Sequence, residues 1–166
     1  MDEGQTLIVN LAKGKLGSDV SNVVGGLIVS SLAHAAYSRQ NETEAARHPF
    51  ILYIDEFHSF TTSALGDMLS ELRKYGLALV LSSQHTSQID PQVLEAILGN
   101  VGTLIAFRVG ATDAPILAKQ FGSDIPAPRD LVGLSNYEFF VKLMIDGRQS
   151  RPFSARSLPA PNPLVH

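Results

Sequence analysis

The chain reads FILYIDE from Phe50 to Glu56, an apolar run that ends in two adjacent carboxylates. A run this short, rich in Ile and Tyr and ended by charge, is typical of a strand buried on both faces of a parallel sheet. Asp55 and Glu56 then follow the carboxyl end of that strand. Because open α/β sheets bind their ligands at this edge, we expect the two acids to lie within reach of a metal-bound phosphate.

The composition of the 166-residue chain is that of a globular domain or of part of one. Hydrophobic residues make up 45%, charged residues 17%, and the net charge is −3, which leaves room only for a local basic groove. The absence of cysteine excludes disulfides, thiolate zinc sites and thiol nucleophiles. The sequence shows neither a signal sequence nor a run of about 20 apolar residues, so we expect no membrane segment in this chain.

Strands and helices alternate on both sides of the acidic strand. We predict further strands at Thr6–Leu11, Leu77–Leu81 and Thr103–Phe107, and helices that begin at Ser18 or Asp19, after Glu56, at Asp90 and at Thr112 or Asp113. Asp146-Gly147, between two further apolar runs, is a strong hairpin signal. The order predicts an α/β fold with a mainly parallel sheet, helices on both faces and a C-terminal β-hairpin.

Gly25 and Gly26 lie together inside the first long predicted helix, which we expect to extend to about Tyr37. Each glycine costs a helix interior about 1 kcal/mol relative to alanine. The pair therefore predicts a close approach of this helix to a strand or to another subunit.

The acidic strand has the pattern of a Walker B motif. In P-loop nucleotidases a Walker B aspartate helps to bind Mg²⁺, and an adjacent acid can orient or deprotonate water. Asp55 is thus predicted to bind Mg²⁺, directly or from the second shell, and with it the nucleotide; Glu56 is predicted to act on the water. The alternative is an acid pair that caps a loop or the next helix.

Three further polar residues are candidates for the same site. Arg73, at the end of the helix after the acids, is a candidate arginine finger for a neighbouring subunit's γ-phosphate, or simply a cation stabilised by the helix dipole. Gln84 follows the next strand and would hydrogen-bond the attacking water or the γ-phosphate, unless it is a polar residue of a solvated loop. Arg108 ends a later strand and is a candidate second arginine finger.

Two motifs limit these predictions. Asp55 to His58 read DEFH, which matches the DExH box of superfamily-2 helicases, but those helicases usually follow with a Ser-Ala-Thr strand end, whereas Ser82–Gln84 stands here. We therefore interpret His58 as a loop residue. No Gly-x-x-x-x-Gly-Lys-Ser/Thr phosphate loop is present, because the basic, glycine-bearing stretch Ala12–Ser18 does not match it. Taken alone, the chain is not expected to bind ATP tightly.

The ordered series of motifs resembles the C-terminal half of the ATPase domain in type IV secretion and conjugation coupling proteins, the TraG/TraD-like members of the HerA/FtsK superfamily. The motifs are VNLAKGKLG at 9–17, LYIDEF at 52–57, LRKYGL at 72–77, SSQ at 82–84, NVGT at 100–103, FR at 107–108 and RPFS at 151–154. The likeness covers about Thr6 to Pro159. By position, Asp55 and Glu56 match the Walker B acids, Arg73 the arginine finger and Gln84 the sensor glutamine.

The resemblance implies a RecA-like P-loop NTPase core that forms a homo-hexamer and translocates DNA with ATP and Mg²⁺, in contact with secretion-system components. It divides the chain into a partial ATPase domain at 1–157, without the Walker A strand and loop, and a Pro-rich tail at 158–166. We interpret the chain as a piece of a longer protein that is inactive as an ATPase alone. The implied location is cytoplasmic, or the cytoplasmic face of the inner membrane through missing N-terminal segments.

Two alternatives remain open at the level of the sequence. The missing phosphate loop also suits a non-enzymatic, degenerate ATPase fold that binds a partner or oligomerises. A DExH helicase fragment would require downstream helicase motifs, which the sequence does not show.

Overall fold

The structure, a computed structural model, describes residues 1–60, 68–69, 71–122 and 125–159, and divides the chain into two compact units, 1–100 and 101–166. Its helices over the described residues are α1 (Lys13–Leu16), α2 (Ser18–Tyr37), α3 (Pro91–Asn100), α4 (Ala114–Phe121) and α5 (Pro128–Val132). Its strands there are β1 (Phe50–Ile54), β2 (Leu77–Leu81), β3 (Leu104–Ala106), β4 (Glu138–Lys142), β5 (Met144–Ile145), β6 (Arg148–Gln149) and β7 (Phe153–Arg156). The predicted division into 1–157 and 158–166 stays a prediction, and the tail lies outside the described residues from 160 onward.

The first unit contains a parallel pair of strands, β1 and β2, in which Phe50 lies opposite Leu77 and Ile54 opposite Leu81. A 3₁₀ turn, Leu72–Tyr75, leads into β2 and ends at Gly76, whose φ of 78° is the left-handed conformation expected of a C-cap glycine. Both strands lie where the sequence predicts them. The helix predicted after Glu56 falls partly in the residues that the structure does not describe, and the last turn before Gly76 is the 3₁₀ turn Leu72–Tyr75.

Two expectations for the first unit are wrong. Tyr53 in β1 is 70% exposed, so this strand is not buried on both faces. Thr6–Leu11 forms no strand, and Ile8 is 88% exposed. Both differences have one cause. Within the described part of this unit only β1 and β2 pair, so the sheet is small and leaves part of β1 uncovered, and the apolar, β-branched run Thr6–Leu11 has no strand with which to pair.

The long helix α2 packs one face into the first unit. Its N-cap is Gly17, not Ser18 or Asp19, and the Ser21 hydroxyl donates to the Gly17 carbonyl oxygen at 2.8 Å. Of the two glycines in α2, only Gly25 is required by close packing, because a Cβ built there would lie 2.2 Å from the Phe60 ring. The close approach is therefore made to the 3₁₀ turn Phe57–Phe60 that follows the acids and not, as predicted, to a strand, whereas Gly26 faces open space.

The segment Ser18–Asn41 is long and apolar enough to cross a membrane by length and composition alone. This corrects the expectation that no stretch in the chain passes that test. Within its unit α2 buries Ser21, Gly25, Val29, Ala33 and Ala36, and 28% of the apolar window is buried.

The second unit is built on the antiparallel sheet β3-β4-β7, with α4 and α5 against it. Its core contains Ala106, Ala114, Ala118, Phe121, Leu131 and Leu134. The predicted hairpin is present: β5 pairs with β6, and Asp146 and Gly147 have the left-handed φ values, 48° and 76°, of a two-residue hairpin turn. Of the described strands only β1 and β2 are parallel, so the fold is α/β without a mainly parallel sheet.

Candidate functional site

The carboxyl ends of β1 and β2 bring Asp55 and Ser82 together. The ladder continues past both strands, because the Ser82 N–H donates to the Ile54 carbonyl oxygen (3.0 Å) and the Phe57 N–H to that of Ser82 (3.2 Å). Across this ladder the Ser82 hydroxyl donates to Asp55 Oδ1, which also accepts the Glu56 N–H at 3.0 Å. The parallel pairing thus fixes the position of the Asp55 carboxylate.

Glu56 turns away from the strand in a left-handed conformation, with a φ of 51°. A non-glycine residue there is uncommon and is often found at functional sites. Its carboxylate faces the end of β2, where Gln84 Nε2 donates to Glu56 Oε1 at 2.6 Å. His58 Nδ1 lies 3.4 Å from Glu56 Oε2, and the His58 side chain is 17% exposed. Two of the predicted site residues, Glu56 and Gln84, are therefore in direct contact.

The Asp55 oxygens and the Ser82 hydroxyl are hard donors of the kind that Mg²⁺ prefers. No group of three or more His, Cys, Asp or Glu that would enclose a metal occurs in the part of the chain that the structure describes. Mg²⁺ ordinarily uses one or two carboxylates together with substrate phosphates and water. The side chains at the carboxyl ends of β1 and β2 therefore fit Mg²⁺ bound together with a nucleotide, and do not resemble a metal site in which the protein supplies every ligand.

Arg73 lies at the opposite end of β2. It belongs to the turn before the strand, its side chain is exposed, and Asp55 and Glu56 lie beyond the far end of the sheet. Five residues of β2 separate the two edges, a distance of about 16 Å at roughly 3.3 Å per residue. The structure therefore does not bring Arg73 together with the acids of its own chain.

A buried arginine supports the turn that carries Arg73. The Arg39 side chain is 1% exposed and donates to the carbonyl oxygens of His48 (3.1 Å) and Tyr75 (3.3 Å), and it forms an ion pair with Asp2. Arg47 lies over the Tyr75 ring, 5.6 Å from its centroid. Both terminal nitrogens of the buried Arg39 guanidinium are thus paired, which offsets much of its desolvation, whereas the buried Nε has no hydrogen-bond partner among the described residues.

Arg108 lies in the second unit, just after β3. It lines a cleft of about 340 Å³ together with five other residues: Phe107, Ser135, Asn136, Tyr137 and Glu138. Its proposed role as a second arginine finger stays a prediction.

Sequence reasoning does not identify two residues of the first-unit site. Ser82 and His58 are visible in the strings SSQ and DEFH. The parallel register puts Ser82 beside Asp55, and the left-handed Glu56 brings its carboxylate to His58. The DEFH string is the available signal for His58, although the sequence alone favours its interpretation as a loop residue.

Comparison with known proteins supports one family. Residues 49–125 match the family model described as the TraM recognition site of TraD and TraG. No curated protein matches the chain.

Solved structures of the plasmid coupling protein TrwB share the fold. The complex with the non-hydrolysable GTP analogue GDPNP is 19% identical, with a TM-score of 0.63 over 78% of this chain and 36% of that one. The complex with the ATP analogue ADPNP is also 19% identical, with a TM-score of 0.65 over 81% and 36%. The unbound form of TrwBdeltaN70, a conjugative coupling protein, gives 0.61 at 18% identity over 76% and 36%. The chain thus spans about a third of the TrwB structures.

An α/β unit with two acids and an amide at adjacent strand ends is an arrangement that P-loop nucleotidases use. The family match over residues 49–125 and the shared fold of TrwB confirm the resemblance to TraG/TraD-like conjugation coupling proteins that the sequence predicts.

Proposed function

We propose that the chain is the Walker B-containing portion of a hexameric, RecA-like ATPase of the HerA/FtsK type that translocates DNA in conjugation or type IV secretion. The observation that carries this proposal is the contact of Glu56 with Gln84 across the ends of two parallel strands. The TrwB structures to which this chain is similar in fold hold a GTP analogue and an ATP analogue, which supports a nucleoside triphosphate as the nucleotide, and we propose ATP.

In this mechanism Asp55 binds Mg²⁺, with its carboxylate held by Ser82. When bound there, Mg²⁺ neutralises charge that develops on the nucleotide phosphates. Glu56 orients the attacking water and accepts its proton, because its carboxylate lies beside Asp55 at the ligand edge of the sheet. Gln84 positions Glu56 before the nucleotide binds, and then donates to the water or to the γ-phosphate.

Arg73 is assigned to a neighbouring subunit's nucleotide. Its separation of about 16 Å from the acids along β2 is too long for one chain to use both groups at one phosphate. A ring of subunits that each present Arg73 to the next is consistent with the proposed hexamer. Arg108 is retained as a second candidate for this role.

The partners proposed are DNA, further copies of the chain and secretion-system components. The matched family region is described as a TraM recognition site, so we include a TraM-like protein among those components. The protein is proposed to act in the cytoplasm or at the cytoplasmic face of the inner membrane.

The test uses the full-length protein that contains this chain, with ATP hydrolysis measured with and without DNA. Glu56→Gln is expected to lower kcat by roughly 100-fold or more, since general acid–base catalysis contributes about that factor. ATP binding should persist, because Asp55 is unchanged.

Glu71→Gln is the matched control, because that carboxylate is exposed and contacts only the Lys74 ammonium, at 3.7 Å, among its described ion pairs. Equal turnover in the wild type and in Glu56→Gln contradicts the proposed mechanism. A wild-type protein that binds DNA or a protein partner without hydrolysing ATP favours the non-enzymatic module instead.

A further inference from the structure

The turn that carries the candidate arginine finger, Arg73, is short and depends on contacts from elsewhere in the first unit. It is a single 3₁₀ turn, Leu72–Tyr75, and 3₁₀ turns have poorer hydrogen-bond geometry than α-helices. The carbonyl groups at the end of a helical turn have no partner within it. The groups that bind these carbonyl oxygens therefore determine where the Arg73 side chain is presented.

Backbone groups bind two of the four carbonyl oxygens in question. The Gly76 N–H donates to the Arg73 carbonyl oxygen at 3.1 Å, and the Phe50 N–H, at the start of β1, donates to that of Gly76 at 2.8 Å. These bonds join the end of the turn to the sheet. The carbonyl oxygens of the two residues between them, Lys74 and Tyr75, are bound by arginine side chains.

Arg47 binds the Lys74 carbonyl oxygen and links the turn to the segment before β1. One terminal nitrogen of its guanidinium donates to Lys74, and the other donates to the Glu42 carbonyl oxygen at 2.6 Å. The buried Nε has no hydrogen-bond partner among the described residues. The same guanidinium lies 5.6 Å from the centroid of the Tyr75 ring, a cation–π contact. A planar guanidinium can span two carbonyl groups from different segments, whereas the shorter side chain of glutamine cannot reach both.

Arg39 binds the Tyr75 carbonyl oxygen and belongs to the core of the unit. The nitrogen that donates to Tyr75 also donates to the His48 carbonyl oxygen, and the side chain is 1% exposed. The Tyr75 ring packs edge-on against that of Tyr37 in α2, with the centroids 5.6 Å apart. Arg47 is only partly buried, so it can be substituted at a lower cost to folding than Arg39.

Arg73 itself is exposed, in contrast to the backbone groups that follow it. An arginine finger stabilises transition-state charge only when its guanidinium reaches the phosphate in the correct position, and a displacement of about 1 Å can cost roughly 100-fold in rate. An exposed arginine on a short 3₁₀ turn does not meet this requirement without support for the turn.

We propose that Arg47 is a positioning residue for Arg73, which it holds in place by binding the turn Leu72–Tyr75 through the Lys74 carbonyl oxygen. The proposal rests on the proposed function, in which Arg73 serves a neighbouring subunit's nucleotide, and it adds the residue that fixes the turn for that role. Arg47 acts through the backbone and does not contact the nucleotide.

The first test is made on the full-length protein without nucleotide. Arg47→Gln should speed amide hydrogen exchange at Gly76 by roughly tenfold, because the N–H that closes the turn on the Arg73 carbonyl oxygen then opens more often. The midpoint of global thermal unfolding should change little. This result reports the order of the turn and does not depend on ATP hydrolysis.

The second test is ATP hydrolysis by the full-length protein without DNA. Arg47→Gln should lower kcat by roughly 10- to 100-fold and leave KM for ATP unchanged, because the nucleotide is bound by the subunit that supplies Asp55. Mixing this variant with Glu56→Gln should restore hydrolysis, since the Glu56→Gln subunits still present a correctly held Arg73 to neighbours with an intact Glu56. Arg73→Ala mixed with Glu56→Gln is the reference for a finger supplied by another subunit.

Arg129→Gln is the matched control, since its side chain is 90% exposed and its ion pair is with the adjacent Asp130. This variant makes the same chemical change in the second unit. Its kcat and its exchange rate at Gly76 should both equal those of the wild type.

Three results would overturn the proposal: unchanged exchange at Gly76 in Arg47→Gln, a wild-type kcat in that variant, or no restoration by Glu56→Gln when the Arg73→Ala mixture is restored. If neither mixture is restored, the assignment of Arg73 to a neighbouring subunit is wrong, and this proposal fails with it. A wild-type protein that does not hydrolyse ATP contradicts the proposed function itself, and the exchange experiment separates that outcome from an unsupported turn.

Discussion

The two units of this chain use their strands in different ways. In the first, β1 and β2 run parallel, so both carboxyl ends meet at one edge and bring Asp55, Glu56, Ser82 and Gln84 into contact. In the second, β3, β4 and β7 are antiparallel, so neighbouring strands end at opposite edges. The parallel pair thus collects the polar side chains that follow both of its strands at a single edge.

The two units also bury and expose apolar residues around different elements. The second unit encloses a core around Leu131, which is fully buried. The first unit leaves Val23 and Leu27 of α2, each 63% exposed, and Tyr53 of β1 open to solvent. Exposed apolar residues at helical spacing along α2 are typical of an interaction face.

The largest effect expected from this comparison is on the closed core. Leu131→Ala should lower the free energy of unfolding by about 2–5 kcal/mol, because a fully buried leucine leaves a cavity when it is truncated. Urea denaturation followed by circular dichroism measures the change. Val132→Ala, at a 40% exposed neighbour in the same helix, is the control. Equal costs at the two positions would mean that the second unit has no closed core.

An intermediate effect is expected at the packed face of α2. Gly25→Ala should destabilise the chain by about 1–3 kcal/mol, since the added Cβ meets the Phe60 ring at 2.2 Å and Leu11 at 3.1 Å. Gly26→Ala is the matched control. It meets nothing within 4 Å and should stabilise the helix by up to about 1 kcal/mol. If thermal unfolding shows that both substitutions change the stability in the same direction, the face of α2 against Phe60 is not packed as described.

The smallest effect is expected at the strained turn of the second unit. Tyr137→Asn should raise the free energy of unfolding by about 1 kcal/mol, because asparagine adopts the left-handed conformation more readily. Tyr137→Phe, which keeps the strain, should leave it unchanged in the same urea experiment. A loss of stability in Tyr137→Asn would show that the ring contributes packing that outweighs the relieved strain.

Much of the site was predictable because it depends on local order along the chain. The apolar run before Asp55 identifies a strand, the cap residues mark α3, and Asp146-Gly147 marks the hairpin. Asp90 does cap α3, since its carboxylate accepts the Gln92 N–H at 2.9 Å. Each of these signals acts over a few residues, where propensity and turn chemistry decide the structure.

The rest depends on contacts that spacing does not encode. Thr6–Leu11 has the composition of a strand but no described neighbour to pair with, and β-propensity is realised only when a strand has a partner. The contact between His58 and Glu56 follows from the left-handed backbone conformation of Glu56, and nothing in the sequence around Glu56 signals that conformation. The buried position of Arg39 is set by carbonyl groups far away in the chain.

The strand β2 has a consequence for how proposed neighbouring sites communicate. Its amino end follows the turn that presents Arg73, and its carboxyl end leads to Gln84, which contacts Glu56. In a ring in which Arg73 contacts the neighbour's nucleotide, one short rigid segment joins the sensor of one site to the catalytic group of the next. A displacement of β2 on hydrolysis would then reach the adjacent site without any further intervening element. Such a coupling would favour hydrolysis in sequential order around the ring over hydrolysis in random order.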